Sequence, residues 1–267
     1  MTRSQLVDNI RRNKSYLCIG LDTDARKLPK HLQSSVDGVY EFNRQIIEAT
    51  KSFCVAYKIN TAFYEALGSK GWEIMERTVG LIPDTHFRIA DAKRGDIGNT
   101  SSLYARAFFE TLKFDAVTVN PYMGEDSIRP FLEYDGKWAI ILGLTSNPGA
   151  SDFELQPAGS ALLYEQVLKK SSQWGTTENL MFVVGATQPE SFKRIRGLAP
   201  QHFYLVPGVG AQGGDIETIS RAAIIKDFGL LINVSRSIIY ASMGEDFNVQ
   251  AANAASSFQR QMISFII

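Results

Sequence analysis

Ile89-Ala-Asp-Ala-Lys-Arg-Gly-Asp-Ile-Gly-Asn-Thr100 is the stretch whose reading decides the fold of this 267-residue chain. The lead-in, His86-Phe-Arg-Ile-Ala90, is short, β-branched or aromatic, and bounded by Pro83 and Asp84, which predicts a strand. Side chains alternate across a strand, so Phe87, Ile89, Asp91 and Lys93 fall on one face. Two apolar residues are followed on that face by an acid and a base. Gly95 permits a sharp turn, and Asn99, Thr100, Ser101 and Ser102 are candidate caps of the next helix. A strand that turns ionic at its C-terminal end has the pattern of an active-site strand in an α/β barrel. Asp91 and Lys93 alone would read as a salt bridge at a strand end; Asp96 and the rest of the chain weigh against that.

Working outward, the same grammar repeats. Tyr16–Asp22 is apolar until Asp22 at its end. In Phe53–Asn60, Cys54, Ala56, Lys58 and Asn60 share one face, so the ion again comes late. Further strands are predicted at Ala116–Asn120, Trp138–Leu144, Met181–Val184, Phe203–Val206 and Leu230–Val234. Helices are predicted at Ser4–Asn13, Val39–Thr50, Ala62–Val79, Ser101–Phe109, Glu125–Leu132, Ala161–Ser171, Pro189–Gly197, Ile216–Lys226 and Asn248–Ile266. Strands alternating with helices imply a parallel sheet. Eight such units with no linker-like break in composition predict one (β/α)8 barrel spanning residues 1–267, and such barrels take ~250 residues.

Composition narrows the function. Lys plus Arg and Asp plus Glu are 28 each, so no net field recruits nucleic acid or an anionic membrane. An anionic ligand must be held by local groups. Hydrophobic residues make up 45%, enough for a large core. The two cysteines, Cys18 and Cys54, sit in apolar runs and read as reduced core thiols without metal-ligand spacing. His31, His86 and His202 are scattered, so no transition-metal site is expected. The polar Met1–Lys14 segment has no apolar signal core and no run approaches a membrane span, so a cytoplasmic protein is expected.

In a barrel the functional groups gather where strands end. Those positions hold Asp22, Lys58, Asp91, Lys93, Asp96, Asn120, Ser146, Gln212 and Arg236. The seventh strand runs into Pro207-Gly-Val-Gly-Ala-Gln-Gly-Gly214 and the eighth into Ser235-Arg-Ser237. Barrels often bind phosphate at these two loops, where glycines let backbone N–H groups approach and an arginine supplies a permanent cation. Lys58, Asp91, Lys93 and Asp96 form an alternating ionic set. Such a set can be purely structural, but buried networks give little net stability, which favours a functional reading. A lysine held by carboxylates stays protonated and can act as a general acid.

The chain resembles the orotidine 5'-phosphate decarboxylase family. Asp91-Ala-Lys-Arg-Gly-Asp-Ile-Gly-Asn-Thr100 matches its Asp-x-Lys-x-x-Asp-Ile-x-x-Thr signature. The likeness continues in Gly20-Leu-Asp22, Tyr57-Lys-Ile-Asn60, Thr145-Ser-Asn-Pro-Gly149, Pro207-Gly-Val-Gly-Ala-Gln212 and Ser235-Arg-Ser237. It covers essentially the whole chain, and Phe63-Tyr-Glu65 with the long loops looks like the bacterial branch of this length. The resemblance implies conversion of orotidine 5'-monophosphate to uridine 5'-monophosphate, with no metal or organic cofactor. It implies Lys58, Asp91, Lys93 and Asp96 as the catalytic array. Asp22 and Lys58 would bind the ribose, and Asp91 would sit beside the substrate carboxylate. Lys93 would protonate C6 of the pyrimidine. Asp96 and Thr100 would reach into the other site of a homodimer. Ser146 would contact the base. Pro207, Gln212, Ser235 and Arg236 would line the phosphate end, and the loop after Gln212 would close as a lid.

Two other readings share parts of this pattern. A magnesium-dependent decarboxylase or aldolase of keto-sugar phosphates shares Asp-x-Lys-x-x-Asp, but needs an acidic ligand where this chain has Lys58, and a lysine repels Mg²⁺. A catalytically dead nucleotide-phosphate-binding barrel is the other, and the intact ionic set argues against it.

Overall fold

The computed structural model describes residues 1–35, 37–186, 189–210 and 214–266. Eight parallel strands close into a barrel: β1 (Leu17–Gly20), β2 (Ala56–Asn60), β3 (Phe87–Arg94), β4 (Ala116–Val119), β5 (Trp138–Leu144), β6 (Leu180–Val184), β7 (Phe203–Val206) and β8 (Leu230–Val234). Each neighbours its sequence neighbour, and β8 pairs with β1 through Leu17–Ile232, Cys18–Asn233 and Ile19–Val234. The architecture is the expected (β/α)8 barrel. β1, β4, β6, β7 and β8 are buried along their whole length. Strands covered on both faces must be continuous apolar runs, which is why their sequences announced them.

Helices fill the outer layer with boundaries close to those expected, and the departures have local causes. The segment expected as one helix over Ala62–Val79 is two, Ala62–Glu65 and Gly68–Leu81, broken where Gly68 takes φ +64°. The helix after β3 begins at Gly98, and its N-cap position is Ile97, with no side-chain cap. None of Asn99, Thr100, Ser101 and Ser102 serves as the cap. A short helix, Arg236–Ile239, follows β8 directly and had no sequence signal of its own. Among the described residues no helix is long and apolar enough to cross a membrane.

The end of the barrel away from the strand C-termini is closed by Arg3–Asn13. Thr2 and Gln5 form its capping box, and Lys14 ends it in the left-handed conformation. Its first residue, Arg3, is buried against the barrel end, donating to the carbonyls of Thr177 and Gln201 and lying over the Phe203 ring. His202 lies beside this closure, 8% exposed, its ring edge-on to Phe182 and neither ring nitrogen hydrogen-bonded.

Burial, reinforced by the cations Arg3 and Arg196, pushes the His202 imidazole down to about 4. The folded protein therefore keeps His202 neutral while the unfolded chain takes a proton below ~6.5. Stability from this group is intact above that pH and falls as pH drops from ~6.5 towards 4, by on the order of 3 kcal/mol. Urea unfolding of wild type and His202→Leu at pH 7 and pH 4.5 checks this. The variant should lose less stability between the two by ~2–3 kcal/mol. Equal losses would show that His202 is protonated in the fold.

Candidate active site

The strand C-termini bring the ionic residues together. Lys58, on β2, is 3% exposed and lies between two carboxylates. Its Nζ donates to Asp22 Oδ1 at 3.0 Å and to Asp91 Oδ2 at 3.1 Å. Asp91 accepts a second cationic contact at its other oxygen, from Lys93 Nζ at 2.6 Å. Burial opposes the charge on Lys58, but Asp22 and Asp91 outweigh it and hold the ammonium above the ordinary lysine value. Burial likewise opposes ionisation of Asp91, and Lys58 and Lys93 outweigh it, holding the carboxyl far below the ordinary range. The Lys58 ammonium and the Asp91 carboxylate are thus both fixed in the charged form without a ligand.

The expected alternation along β3 holds through Asp91 and then breaks. β3 and β4 pair at Ala90–Val117 and next at Arg94–Val119, with a register shift between. Within that shift Lys93 takes φ +46°, a region disfavoured for any residue with a Cβ. Lys93 therefore reaches the mouth from a bulge rather than by strand periodicity, and its side chain is 52% exposed. Arg94 anchors the far end of the bulge, pairing with Glu65 and lying over Tyr104 and Phe108.

Asp22 follows β1, on a loop held from below. Thr23 donates to Asn43, Asn43 donates to Tyr64 and Thr78, and Tyr64 donates to the Leu21 carbonyl. All four side chains of this network are buried, so the loop is supported by satisfied polar groups. Across from it, Ser235 donates to the Gly20 carbonyl at 2.9 Å. A Cβ on Gly20 would come within 2.8 Å of Ser235 Cβ, so the close approach of β1 to the end of β8 requires glycine there.

One hollow at the mouth is lined by Asp22, Lys58, Asn60, Asp91, Ser146, Pro207, Gly208, Val209, Asn233, Ser235, Arg236 and Ser237. Acidic and basic groups stand on one side of it and the ends of β7 and β8 on the other. Gly208 and Gly210 take φ +95° and +81°, which shapes the turn after β7. Arg236 is exposed, and among the described residues no carboxylate lies within 4.0 Å of it. A larger hollow of about 470 Å³ lies outside the barrel between the helices Leu163–Ser171 and Pro189–Leu198, and no barrel strand lines it.

The fold thus gathers Asp22, Lys58, Asp91, Ser146, Pro207, Ser235 and Arg236, with Lys93 at the rim. Asp96 is half-buried, accepts from its own Ile97 N–H at 2.8 Å, and does not join the array within its chain. Thr100 is exposed on the following helix and also stands apart. Asn120 accepts from Tyr122 N–H and starts a turn instead of lining the hollow. Gln212 lies outside the described residues. Asn60, Asn233 and Ser237 also line the hollow and are not among the site residues expected from sequence. Asn60 and Asn233 carry a usable signal, Asn60 as an amide at the end of the strand that bears Lys58 and Asn233 as an amide in an otherwise apolar strand. Among the described residues, no group of three or more His, Cys, Asp or Glu is placed to hold a metal ion.

Residues 15–247 match the family model described as orotidine 5'-phosphate decarboxylase / HUMPS family. A protein of Phocaeicola vulgatus named orotidine 5'-phosphate decarboxylase is 52% identical over 266 residues, covering 98% of each chain. One of the same name from Parabacteroides distasonis is 52% identical over 270 residues, covering all of this chain and 96% of the relative. Among solved structures, Leishmania donovani OMP decarboxylase superposes with a TM-score of 0.87 at 33% identity, covering 100% of this chain and 99% of the other.

Proposed function

The chain belongs to the orotidine 5'-phosphate decarboxylase / HUMPS family, and on that premise we infer how its residues divide the work of converting orotidine 5'-monophosphate to uridine 5'-monophosphate. The observation that carries the assignment is the ion pair of buried Lys58 with partly buried Asp91, both charged, beside a polar hollow that Arg236 also lines. The bound substrate would bring its carboxylate against Asp91, whose ionisation is already fixed. Loss of CO2 removes that like-charge contact and leaves an electron pair on C6, which Lys93 Nζ, beside Asp91, would protonate. Asp22, Lys58 and Asn60 would meet the ribose, Ser146 the base, and Pro207, Ser235 and Arg236 the phosphate, where the sequence also assigns Gln212. Phosphate binding far from C6 would supply interaction energy to the chemical step.

All of residues 1–267 would act as one domain, and the enzyme would be a homodimer with Asp96 and Thr100 completing the partner's site. Support comes from the surface beside them: Ile97 is 58% exposed and Tyr122 88%, with Leu103 and Met123 also exposed. Apolar side chains clustered at a barrel mouth fit a covered surface. A nucleotide substrate and two unpaired buried cysteines support a cytoplasmic location, and zero net charge gives nucleic acid no hold.

The direct test is CO2 release from orotidine 5'-monophosphate by the purified protein, with and without a chelator. Activity that resists chelation supports the assignment. Activity lost with chelation, or seen only on keto-sugar phosphates with Mg²⁺, would move the chain to the metal-dependent branch.

Arg236→Ala should weaken binding of uridine 5'-monophosphate at least ~10-fold and leave uridine almost unchanged, because a charge-assisted hydrogen bond is worth ~1.5–3 kcal/mol. Calorimetric titration of both ligands reads the difference. Equal weakening of the two would show that Arg236 shapes the barrel mouth rather than meeting the phosphate.

A further inference from the structure

The bulge that carries Lys93 has one residue opposite it. Pairing of β3 with β4 stops at Ala90–Val117 and resumes at Arg94–Val119, so Asp91, Ala92 and Lys93 together face Thr118. Thr118 is fully buried. Its Oγ1 accepts the backbone N–H of Lys93 at 2.9 Å. Its own hydrogen then goes to Asp91 Oδ1 at 3.0 Å, since an ionised carboxylate can only accept. That same oxygen receives Lys93 Nζ at 2.6 Å. One hydroxyl therefore ties the first residue of the bulge to the last, and it bonds directly to the residue in the left-handed conformation.

We propose that Thr118 is a positioning residue for the decarboxylation, its hydroxyl holding Lys93 in the left-handed bulge and Asp91 in the rotamer that meets the lysine. This rests on the role assigned to Lys93 above. Without the hydroxyl, the Lys93 N–H loses its partner inside the fold and Asp91 Oδ1 loses one of two donors. The bulge is then free to leave its left-handed geometry, which shifts the Lys93 ammonium from its place against Asp91. Thr118 touches neither the hollow nor its phosphate end, so ligand affinity should not follow the change.

Thr118→Val keeps the shape and removes the hydroxyl; Thr118→Ser keeps the hydroxyl and removes the methyl. Thr118→Val should lower kcat about 10- to 100-fold with KM changed less than about 3-fold, and Thr118→Ser should stay within about 3-fold of wild type. A Thr118→Val enzyme with wild-type kcat overturns the proposal. So does an equal loss in both variants, which would make the side chain a packing element. If Thr118→Val does not fold, Thr118→Ala against Thr118→Ser carries the same comparison. A wild-type protein with no activity on orotidine 5'-monophosphate refutes the assigned reaction instead. The hydroxyl's role is then read from a crystal structure of Thr118→Val. Lys93 leaving the left-handed region supports the proposal, and an unchanged bulge overturns it.

Discussion

Lys93→Ala should lose at least ~10³-fold in turnover while still binding uridine 5'-monophosphate, since a general acid supplies 10²–10⁴-fold and its charge on the developing carbanion adds to that. The geometry explains why no neighbour replaces it. Lys58 is the other ammonium of the array, but it is buried and holds both Asp22 and Asp91. Moving it to C6 would leave two carboxylates without their cation, which is costly in a buried site. Lys93 has one carboxylate contact and an exposed, movable side chain. Single-turnover measurement of CO2 release, alongside titration with the product nucleotide, separates chemistry from binding. Near-normal turnover in Lys93→Ala would sink the assignment. A matching loss of nucleotide affinity would show that the lysine holds the ground state instead.

The contrast between Lys58 and Lys93 also shows which parts of the site the sequence could disclose. Lys58 obeys strand alternation: Ala56, Lys58 and Asn60 share a face, and Lys58 meets Asp91 on the next strand and Asp22 on the loop after the previous one. Period-2 patterning in a regular strand carries that information. Lys93 was placed on the correct side of the barrel by the same rule, for a reason that does not apply. Its backbone is left-handed and the ladder is out of register there, a feature with no composition signal because the residue adopting it is not glycine. Thr118 was invisible for a related reason. A threonine in Ala-Val-Thr-Val is ordinary β-strand composition, and only the bulge opposite gives its hydroxyl two partners.

The barrel itself was legible because parallel strands buried on both faces leave unmistakable apolar runs. β5, β7 and β8 begin and end where the apolar pattern does. Helix starts were less legible. The run Asn99-Thr-Ser-Ser102 offers four good capping residues, yet the helix starts upstream of all of them at Gly98, whose φ of +52° only glycine adopts readily. Local capping preference, worth ~1 kcal/mol, yields there to the path the chain takes out of the bulge. The phosphate end was legible from glycines and Arg236, whereas Asn233, though an amide in an apolar strand, carries no sequence sign of what it meets. Its Oδ1 accepts from the Cys18 thiol at 3.6 Å, a contact that depends on how β1 meets β8.

Asp96 leads to the last expectation, that it acts in the partner's site. It shares the signature with Asp91 and Lys93, yet in its own chain it makes no ion pair among the described residues and bonds only to the next backbone N–H. The turn at Gly95 carries it away from Lys58 and Asp91, towards the exposed Ile97 and Leu103. A two-fold interface is self-complementary, so each subunit would give its Asp96 to the other. Lys93→Ala and Asp96→Ala should each be nearly inactive alone. In a hybrid dimer, one site takes Lys93 from the Asp96→Ala chain and Asp96 from the Lys93→Ala chain, and is intact. The other site carries both defects. Random reassortment makes half the dimers hybrid, so unfolding and refolding an equal mixture should restore about a quarter of wild-type activity. If Asp96 serves its own chain, every site in every dimer is defective. The refolded mixture would then show no more activity than the two variants refolded separately, and the shared site would have to be abandoned.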